Sequence, residues 1–513
     1  MLLTEIIMTL PARQMFFKSL RKSLTTVMKR SIDQAPHFQP CKDCRYFSLS
    51  AKRRKVPENP KEWQTKFEST NPEFDWDFLC NSKNLSFIEN NIQNRKGVGD
   101  IQKVLYLWDR YNKEIMVANK EVVWKDLIKA AADLPNTHHT STPIGEESNA
   151  RLVETVGMLK EFEFQPKTVV ELGEDLHILR TDNVTAATGH RTYYFMDDLV
   201  NLEDALIQFT LEYLQQQGFT LVSVPDLIYS PVIEACGFKT SGERNQVYKI
   251  DNTAYNDVCL AGTSEMSLAG YMADECLTSQ DMPKKLTAVS RCYRREGSDS
   301  YEEKGIYRVH QFTKIEMFGV TENKTGEESD QLLQHFLQIE KNLFTQLGLH
   351  FRILEMPTQC LGAPAYRKYD MEAWMPAKQF WGEISSASNC TDYQSRRLGI
   401  KYTDKKHENR HVHTINGTAC AVPRMIMAIL ENYQRKDGSV DIPQVLQPYM
   451  GNKTQLLTPR HKPNVHWVNL HKSKTIKILI HYLPVFSFCN LFKGPIPIIF
   501  WRIKLLNFGL KSH

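Results

Sequence analysis

The chain has 513 residues, of which 42% are hydrophobic and 24% are charged, and its formal net charge at pH 7 is +5. This composition is that of an ordinary globular protein, and a length beyond about 300 residues allows more than one domain. The small positive excess permits a polyanionic partner without requiring one, and the 11 cysteines lack the spacing of a disulfide framework, which argues for a reducing compartment.

The N-terminus has the composition of a targeting segment. Between residues 1 and 31 one acid, Glu5, stands against six basic residues: Arg13, Lys18, Arg21, Lys22, Lys29 and Arg30. Four apolar residues recur there at helical spacing: Phe17, Leu20, Leu24 and Val27. Because the apolar run is too interrupted for a secretory signal, we predict a mitochondrial transit peptide over residues 1–35 and a location in the mitochondrial matrix. The alternative is a disordered basic tail.

Residues 36–135 are predicted to form a small helical domain. The part before residue 100 is polar and weakly periodic, which predicts irregular structure with one or two short helices. Apolar residues then recur at helical spacing: Ile101, Leu105, Trp108, Tyr111 and Ile115. A second short helix over 122–132 would complete an antiparallel hairpin. Cys41 and Cys44 form a CxxC pair, and since no second pair follows at a suitable spacing, we interpret them as free thiols.

From residue 136 to residue 460 the pattern changes to mixed helix and strand. A helix over 202–217, capped by Gly218, precedes a strand over 219–224. Further strands are predicted at 257–261, 287–293, 306–320, 351–355, 369–375 and 382–386, and further helices at 328–347 and 424–434. Because strands follow one another without a helix between each pair, we predict an α+β fold with an antiparallel sheet flanked by helices. The sequence has neither GxGxxG after a strand nor GxxxxGK(S/T), so neither familiar nucleotide-binding fold is indicated.

The stretch 291–320 combines aromatic and cationic residues at strand spacing. Alternation would place one set of side chains together: Tyr307, Val309, Gln311 and Thr313. The opposite face would then carry another: Arg308, His310, Phe312 and Lys314. A ring among cations suits a flat anionic ligand such as a nucleotide, since the ring can stack on a base while arginine offers a planar fork to phosphate. An exposed hairpin with solvated charges is the alternative interpretation.

Three further clusters contain residues suited to small polar ligands. Residues 261–265 (AGTSE) present a hydroxyl and a carboxylate two positions apart, although Thr263 could equally be a helix cap. Residues 381–397 (WGEISSASNCTDYQSRR) surround a glutamate with hydroxyls, which suits a Mg²⁺ ion that also contacts phosphates. Residues 416–424 place Arg424 in the first turn of a helix, where it could hold a terminal phosphate.

The order and the amino-acid sequences of these clusters resemble those of the seryl-tRNA synthetases, a family of class II aminoacyl-tRNA synthetases, and most closely those of the animal mitochondrial type. The resemblance covers roughly residues 135–450 and includes LAGTSEMSLAGYM, GIYRVHQFTKIEMFGV, MPTQCLGAPAYRKYDMEAWMP, GEISSASNCTDYQSRR and NGTACAVPRMIMAILE. It implies that helix 202–217 with its strand is motif 1, which forms the homodimer of the family. It likewise implies that 291–320 is motif 2, that 416–434 is motif 3, and that 136–460 is a class II catalytic domain.

The resemblance assigns one group of residues to the amino acid. Thr263 and Glu265 match the Thr-x-Glu element that helps to hold serine. Glu316 matches the acid that reads the serine amino or hydroxyl group, with Asn416 and Thr418 beside it. Selectivity for serine over alanine is then expected from buried polar groups that only serine satisfies.

A second group is assigned by the resemblance to ATP. Arg294 matches the motif 2 arginine that holds the α-phosphate and the substrate carboxylate. Arg308 fits a second phosphate-binding arginine, Glu296 the acid on the adenine side, and Phe312 the ring that stacks on adenine.

The remaining assignments concern the outer phosphates. Glu383 and Ser386 match the ligands of Mg²⁺ and ATP, and Arg424 matches the motif 3 arginine on the γ-phosphate. The serine carboxylate would attack the α-phosphorus in line, with Arg294 and Arg424 as the catalytic residues that neutralise the shifting charge. The terminal adenosine hydroxyl of serine tRNA would then take the seryl group.

Two features depart from the family pattern, and one segment lies beyond it. Arg295 stands where the family usually has a small residue. The hairpin of residues 101–133 is much shorter than the coiled-coil arm that grips serine tRNA, since a helix rises only ~1.5 Å per residue. We therefore expect residues 36–135 to be a tRNA-binding domain with a shortened arm. Residues 461–513 are basic and apolar but interrupted, so no stable membrane association is expected and no function is assigned to them.

The sequence thus favours a mitochondrial serine–tRNA ligase that uses serine, ATP, Mg²⁺ and serine tRNA. The alternative is a catalytically silent relative that binds tRNA or another synthetase. Such a protein is expected to have lost ATP-site residues, whereas this sequence retains a competent side chain at each matched position. A class II ligase for threonine or proline is disfavoured, because the sequence around Glu383 resembles that of the serine enzymes.

Overall fold

The computed structural model describes residues 72–181, 185–242, 245–251, 257–297 and 305–457, without the side chains of 185 and 186. The predicted transit peptide, the C-terminal tail, Cys41 and Cys44 lie outside the described residues, as does most of the loop between the two strands of the predicted motif 2.

The helices and strands are numbered in chain order. The α-helices are α1 Trp76–Leu79, α2 Leu85–Asn94, α3 Ile101–Lys113, α4 Val117–Ala132, α5 Val169–Asp175, α6 Thr185–Thr188, α7 Asp198–Gln216, α8 Ser230–Ala235, α9 Ser264–Tyr271, α10 Glu328–Gln346, α11 Tyr393–Leu398 and α12 Val422–Tyr433. The strands are β1 Arg151–Val156, β2 Leu179–Arg180, β3 Tyr194–Phe195, β4 Thr220–Leu221, β5 Leu227–Tyr229, β6 Tyr248–Lys249, β7 Val258–Leu260, β8 Cys276–Thr278, β9 Lys284–Tyr293, β10 Gln311–Thr321, β11 Phe351–Glu355, β12 Arg367–Met375, β13 Phe380–Thr391, β14 Lys401–Thr403, β15 Asn409–His411, β16 His413–Ala421, β17 Val440–Asp441 and β18 Gln455–Leu456. Within the described ranges, no helix is both long and apolar enough to cross a bilayer.

An eight-stranded sheet organises the fold, with the strand order β1-β11-β12-β13-β16-β10-β9-β4. Its neighbours pair antiparallel except at one edge, where β4 runs parallel to β9. The sequence-based prediction of an α+β fold with an antiparallel sheet flanked by helices is therefore confirmed.

The two faces of the sheet bury different cores. On the central strand β10, Ile315 and Met317 pack into the core that also holds the apolar faces of α7, α10 and α12. Phe318 and Val320 point the other way, into a second core with α8 and α9. The alternating side chains of β10 therefore separate a helix-covered face from a face on which the cavity described below opens.

The predicted strand over 306–320 is wrong in its first five residues. Residues 305–307 form a turn with Gly305 at φ +90°, and the ladder with β9 begins only at Gln311. The predicted alternation therefore holds for residues 311–314 and fails before them, because residues outside a ladder need not alternate. Tyr307 and Arg308, which were predicted to lie on opposite faces, both line the same cavity.

Helix α7 confirms the predicted helix over 202–217 and begins four residues earlier, at Asp198. Gly218 adopts φ +82° after its last residues, a left-handed conformation that favours glycine at a helix end. The strand predicted over 219–224 is shorter than expected, since only Thr220–Leu221 forms a strand beside β9 at the edge of the sheet.

Helices α2, α3 and α4 form a helical segment with a core of its own. A connection of residues 114–116 joins α3 to α4, so the predicted hairpin is present. Ile115 was predicted to extend the apolar face of the first helix, but α3 ends at Lys113 and Ile115 is 93% exposed at the tip. The second helix begins five residues earlier than predicted, at Val117.

Candidate active site

One cavity of about 390 Å³ opens on the face of the sheet opposite α10. It is lined by all twelve residues that were singled out from the sequence: Thr263, Glu265, Arg294, Glu296, Arg308, Phe312, Glu316, Glu383, Ser386, Asn416, Thr418 and Arg424. These residues come from four separate stretches of the chain, and the central strands bring them together.

One end of the cavity contains an acidic cluster, formed by Glu265, Glu316 and Lys314. All three side chains are buried, with Glu265 at 5% and Glu316 at 2% exposure. Lys314 forms an ion pair with Glu316, and its Nζ donates a hydrogen bond to Thr263 Oγ1 at 2.9 Å. Thr263 Oγ1 also accepts from the Glu265 backbone N–H at 3.3 Å as the N-cap of α9. Thr263 is therefore both a helix cap and a residue of the cavity wall. Thr418 Oγ1 donates to Glu316 Oε2 at 3.2 Å.

Glu265 is held by two side-chain amides. Its Oε1 accepts from Gln394 Nε2 at 2.6 Å and from Asn416 Nδ2 at 2.8 Å. Burial, together with the charge of Glu316, raises the pKa of Glu265 to about 7, although the amides and Lys314 act in the opposite direction. Burial likewise raises the pKa of Glu316 above its ordinary value. Both carboxyl groups therefore ionise less readily than usual, and a cationic ligand bound beside them would favour their ionised forms.

The other end of the cavity combines a ring with guanidinium groups. The Arg294 guanidinium lies 5.3 Å from the centroid of the Phe312 ring, and its Nε donates to the Gly262 carbonyl at 3.2 Å. Arg308 Nη1 forms an ion pair with Glu296 Oε2 at 3.2 Å. A ring with such neighbours can take a planar base on one face while the arginines reach its phosphates.

Arg424 is fixed by the turn before β10 and by β13. Its Nε donates to the Tyr307 carbonyl at 3.1 Å, its Nη1 donates to the Glu383 carbonyl at 2.9 Å, and it lies 4.4 Å from the centre of the Tyr307 ring. Pro423 precedes it in the first turn of α12, where proline suits the helix start. The prediction that Arg424 lies in the first helical turn is confirmed.

The chemistry at Glu383 and Ser386 fits a hydrated divalent cation. Glu383 is 42% exposed and lies 3.3 Å from Arg424. Desolvation acts against its ionisation, but the charges of Arg424 and Lys368 hold its pKa below the ordinary value. Among the described residues no three His, Cys, Asp or Glu side chains are grouped to hold a metal ion. A cation here would therefore need further oxygen ligands from a phosphate, which is how Mg²⁺ is commonly bound.

Sequence patterns missed two residues of this site: Lys314, which lines the cavity, and Gln394, which donates to Glu265 without lining the cavity. Lys314 was placed on the same strand face as Phe312 but was not recognised as part of the site, although its alternation with Glu316 signalled it. Gln394 lies beyond the end of β13, so no strand pattern could identify it as a partner of Glu265. Arg295, the residue that departs from the family pattern, is not among the residues that line the cavity.

Comparisons with known proteins agree with this arrangement. A family model described as tRNA synthetase class II core domain (G, H, P, S and T) matches residues 248–433. The serine–tRNA ligase of Treponema denticola is 42% identical over 331 residues, which cover 64% of this chain and 77% of that protein. The chain belongs to the seryl-tRNA synthetases.

Two further comparisons support this membership of the seryl-tRNA synthetase family. The mitochondrial serine–tRNA ligase of Mus musculus is 48% identical over 339 residues, covering 66% of this chain and 65% of that protein. The chain thus spans less than two thirds of the length of this mitochondrial relative. A crystal structure of seryl-tRNA synthetase from Pyrococcus horikoshii, complexed with ATP, superposes with a TM-score of 0.69 at 30% identity, covering 75% of this chain and 100% of that one.

Proposed function

We propose that this chain activates serine with ATP and transfers the seryl group to serine tRNA in mitochondria. The observation that carries the proposal is the pairing, within one cavity, of the acidic cluster with the ring and guanidinium groups at the opposite end. The first suits the ammonium and hydroxyl of a small amino acid, and the second suits a nucleotide. Membership of the seryl-tRNA synthetase family supports serine as the amino acid.

Serine recognition follows from the charge of the acidic cluster. The serine ammonium would add a positive charge beside Glu265 and Glu316 and favour their ionised forms. The serine hydroxyl would meet the hydrogen-bonding groups of Thr263, Asn416 and Thr418. All of these groups line the cavity. Alanine would leave buried polar groups without a partner, which costs about 1–3 kcal/mol per group.

ATP is proposed to bind at the opposite end, with adenine on the Phe312 ring and Glu296 beside it. Arg294 lies between that ring and Gly262, next to Thr263, and can hold the α-phosphate and the serine carboxylate together. The carboxylate oxygen attacks the α-phosphorus, the bond to pyrophosphate breaks, and Arg308 and Arg424 hold the departing charge. This step requires no general base, because the serine carboxylate is already ionised.

Mg²⁺ is proposed as the metal, held by Glu383 and Ser386 together with ATP oxygens. When bound, it neutralises phosphate charge and orients the pyrophosphate leaving group. The lowered pKa of Glu383 keeps that carboxylate ionised for this role.

The remaining parts of the proposal concern the larger partners. The helical segment is proposed to bind serine tRNA with its short hairpin, and the mitochondrial matrix is supported by the mitochondrial relative and by the basic composition of residues 1–35. A homodimer is proposed through motif 1, where β4 is the last strand of the sheet among the described residues and Leu221 is 44% exposed. A Leu221→Lys change should then favour the monomer in sedimentation analysis, and an unchanged sedimentation coefficient would contradict pairing at this edge.

Serine-dependent exchange of pyrophosphate into ATP tests the activation step. The full chain should catalyse exchange with serine but not with threonine or proline, and Arg294→Ala should lower the rate by about 10²–10³-fold. A wild-type chain as inactive as Arg294→Ala would instead support the catalytically silent alternative, which no described cavity residue favours. Charging of mitochondrial serine tRNA by the same preparation tests the transfer step.

A further inference from the structure

Residues 356–366, between β11 and β12, form one side of the cavity and are here called the wall loop. A residue of the helical segment donates hydrogen bonds to this loop. Gly362 and Pro364 of this loop line the cavity. The backbone carbonyls of Gly362 and Ala363 accept hydrogen bonds from the guanidinium of Arg95, which follows α2 in the helical segment. A residue 267 positions away in the chain therefore fixes the backbone of a cavity wall.

The Arg95 side chain is more deeply buried than a surface contact between two parts of a chain requires. It is 5% exposed, and its Nη1 donates to the carbonyls of Asn136 at 2.9 Å and Thr137 at 3.4 Å. Its acceptors are thus neutral carbonyl oxygens. Burial lowers the pKa of the guanidinium to about 10, so it stays charged at neutral pH and depends on these acceptors. By contrast, Glu73, which precedes α1, contacts β14 and β15 through Lys401 and His411, and its side chain is 53% exposed.

Asn136 holds the other side of the same loop. Its Nδ2 donates to the carbonyl of Pro364 at 2.8 Å and to the carbonyl of Cys390 at 3.0 Å. The Cys390 thiol lies in the cavity lining, 3.7 Å from Asn416 Nδ2. Asn416 in turn donates to Glu265 at 2.8 Å. Among the described residues, a set of hydrogen bonds therefore leads from the Arg95 side of the loop through Asn136, Cys390 and Asn416 to Glu265 in the acidic cluster.

We propose that Arg95 is a positioning residue for serine, which it serves by holding the wall loop against the acidic end of the cavity. The inference rests on the proposed function, because it names what binds at that end. Arg95 does not itself line the cavity, so its effect must pass through the loop. Loss of its hydrogen bonds would let the loop move away from Cys390 and widen the serine end, while leaving Phe312 and Arg424 in place.

The test is pyrophosphate exchange by the full chain, with KM measured separately for serine and for ATP. Arg95→Met should raise the serine KM by about tenfold or more, with the ATP KM within about twofold of the wild type. Arg95→Lys should restore part of the serine affinity, because an ammonium can reach one pair of carbonyls but not both. Asn136→Ala should shift the serine KM in the same direction. Glu73→Gln, the matched control on the exposed contact, should leave both constants unchanged.

The outcomes separate the inference from the proposed function. If Arg95→Met and Asn136→Ala are active with an unchanged serine KM, or if both KM values rise together as in a general loss of structure, Arg95 is only structural and the inference is wrong. If the wild type shows no serine-dependent exchange, the proposed function fails first. Should Arg95→Met not fold, Arg95→Lys and Asn136→Ala provide the same comparison, with thermal unfolding recorded for every variant.

Discussion

Replacing Glu265 by glutamine should stabilise the fold at alkaline pH while it removes serine binding. The pKa of this buried carboxyl rises from 4.5 to about 7 in the folded chain. Because the folded state holds the proton more tightly than the unfolded state, the stabilising contribution is complete below pH 4.5 and is lost as the pH rises through about 7. At about 1.4 kcal/mol per pKa unit, the full loss amounts to about 3 kcal/mol. Glutamine carries no charge and can still accept from Gln394 and Asn416.

Urea unfolding of Glu265→Gln and the wild type at pH 5 and pH 8 measures this effect. The variant should gain about 2–3 kcal/mol over the wild type between the two pH values, and its serine-dependent exchange should be lost at both. Glu340→Gln is the companion variant, because burial also raises the pKa of Glu340 well above its ordinary value. The folded chain keeps this carboxyl protonated where the unfolded chain ionises it, so the replacement should gain at least as much stability between pH 5 and pH 8. Glu340 does not line the cavity, so serine-dependent exchange should be retained. A stability difference for Glu265→Gln that stays constant within about 0.5 kcal/mol from pH 5 to pH 8 would refute the reasoning.

Three further changes test the two ends of the cavity. Arg294→Ala should lower kcat for exchange by about 10²–10³-fold, as expected for a donor to the transition state, and a small change in kcat would contradict that role. Phe312→Ala should raise the ATP KM by about tenfold with little effect on the serine KM, measured in the same assay, since stacking on a ring is worth about 1–3 kcal/mol. Lys314→Met should destabilise the fold by about 3–5 kcal/mol in urea, because it leaves Glu316 buried without its ion-pair partner; an unchanged midpoint would indicate that the pair contributes nothing.

Local sequence patterns were sufficient to predict the main elements. The apolar spacing of Leu202, Leu206 and Phe209 predicted α7, and each of these side chains is buried. Cavity residues that follow one another on a regular strand, such as Phe312 and Glu316, were also accessible to alternation. The turn at residues 305–307 could not be predicted in this way, because residues typical of strands continue through it. The strand is limited only by its pairing with β9, which begins at Gln311. The hydrogen bonds of Arg95 to Gly362 and Ala363 were equally inaccessible, since no local pattern links positions so far apart.

Two β-bulges explain why alternation alone could not have assembled the cavity. Glu383 and Ser386 are three residues apart, so a regular strand would place them on opposite faces. In β13, however, Ser385 pairs with Met371 and Glu383 pairs with Glu372, so the residue between them is an extra one. The strand therefore changes phase at this bulge, and the glutamate and Ser386 face the same cavity.

A second β-bulge occurs on β16. Ile315 pairs with Cys420, whereas Glu316 pairs with Thr418, so Ala419 is the extra residue. Without this bulge Thr418 would face α10 instead of donating to Glu316. Both bulges occur on strands whose neighbours fix the register on either side, and neither leaves a glycine or proline signal at the extra position. Strand register thus decides which side chains line the cavity, and from the sequence only the family resemblance could bring Glu383, Ser386 and Thr418 together.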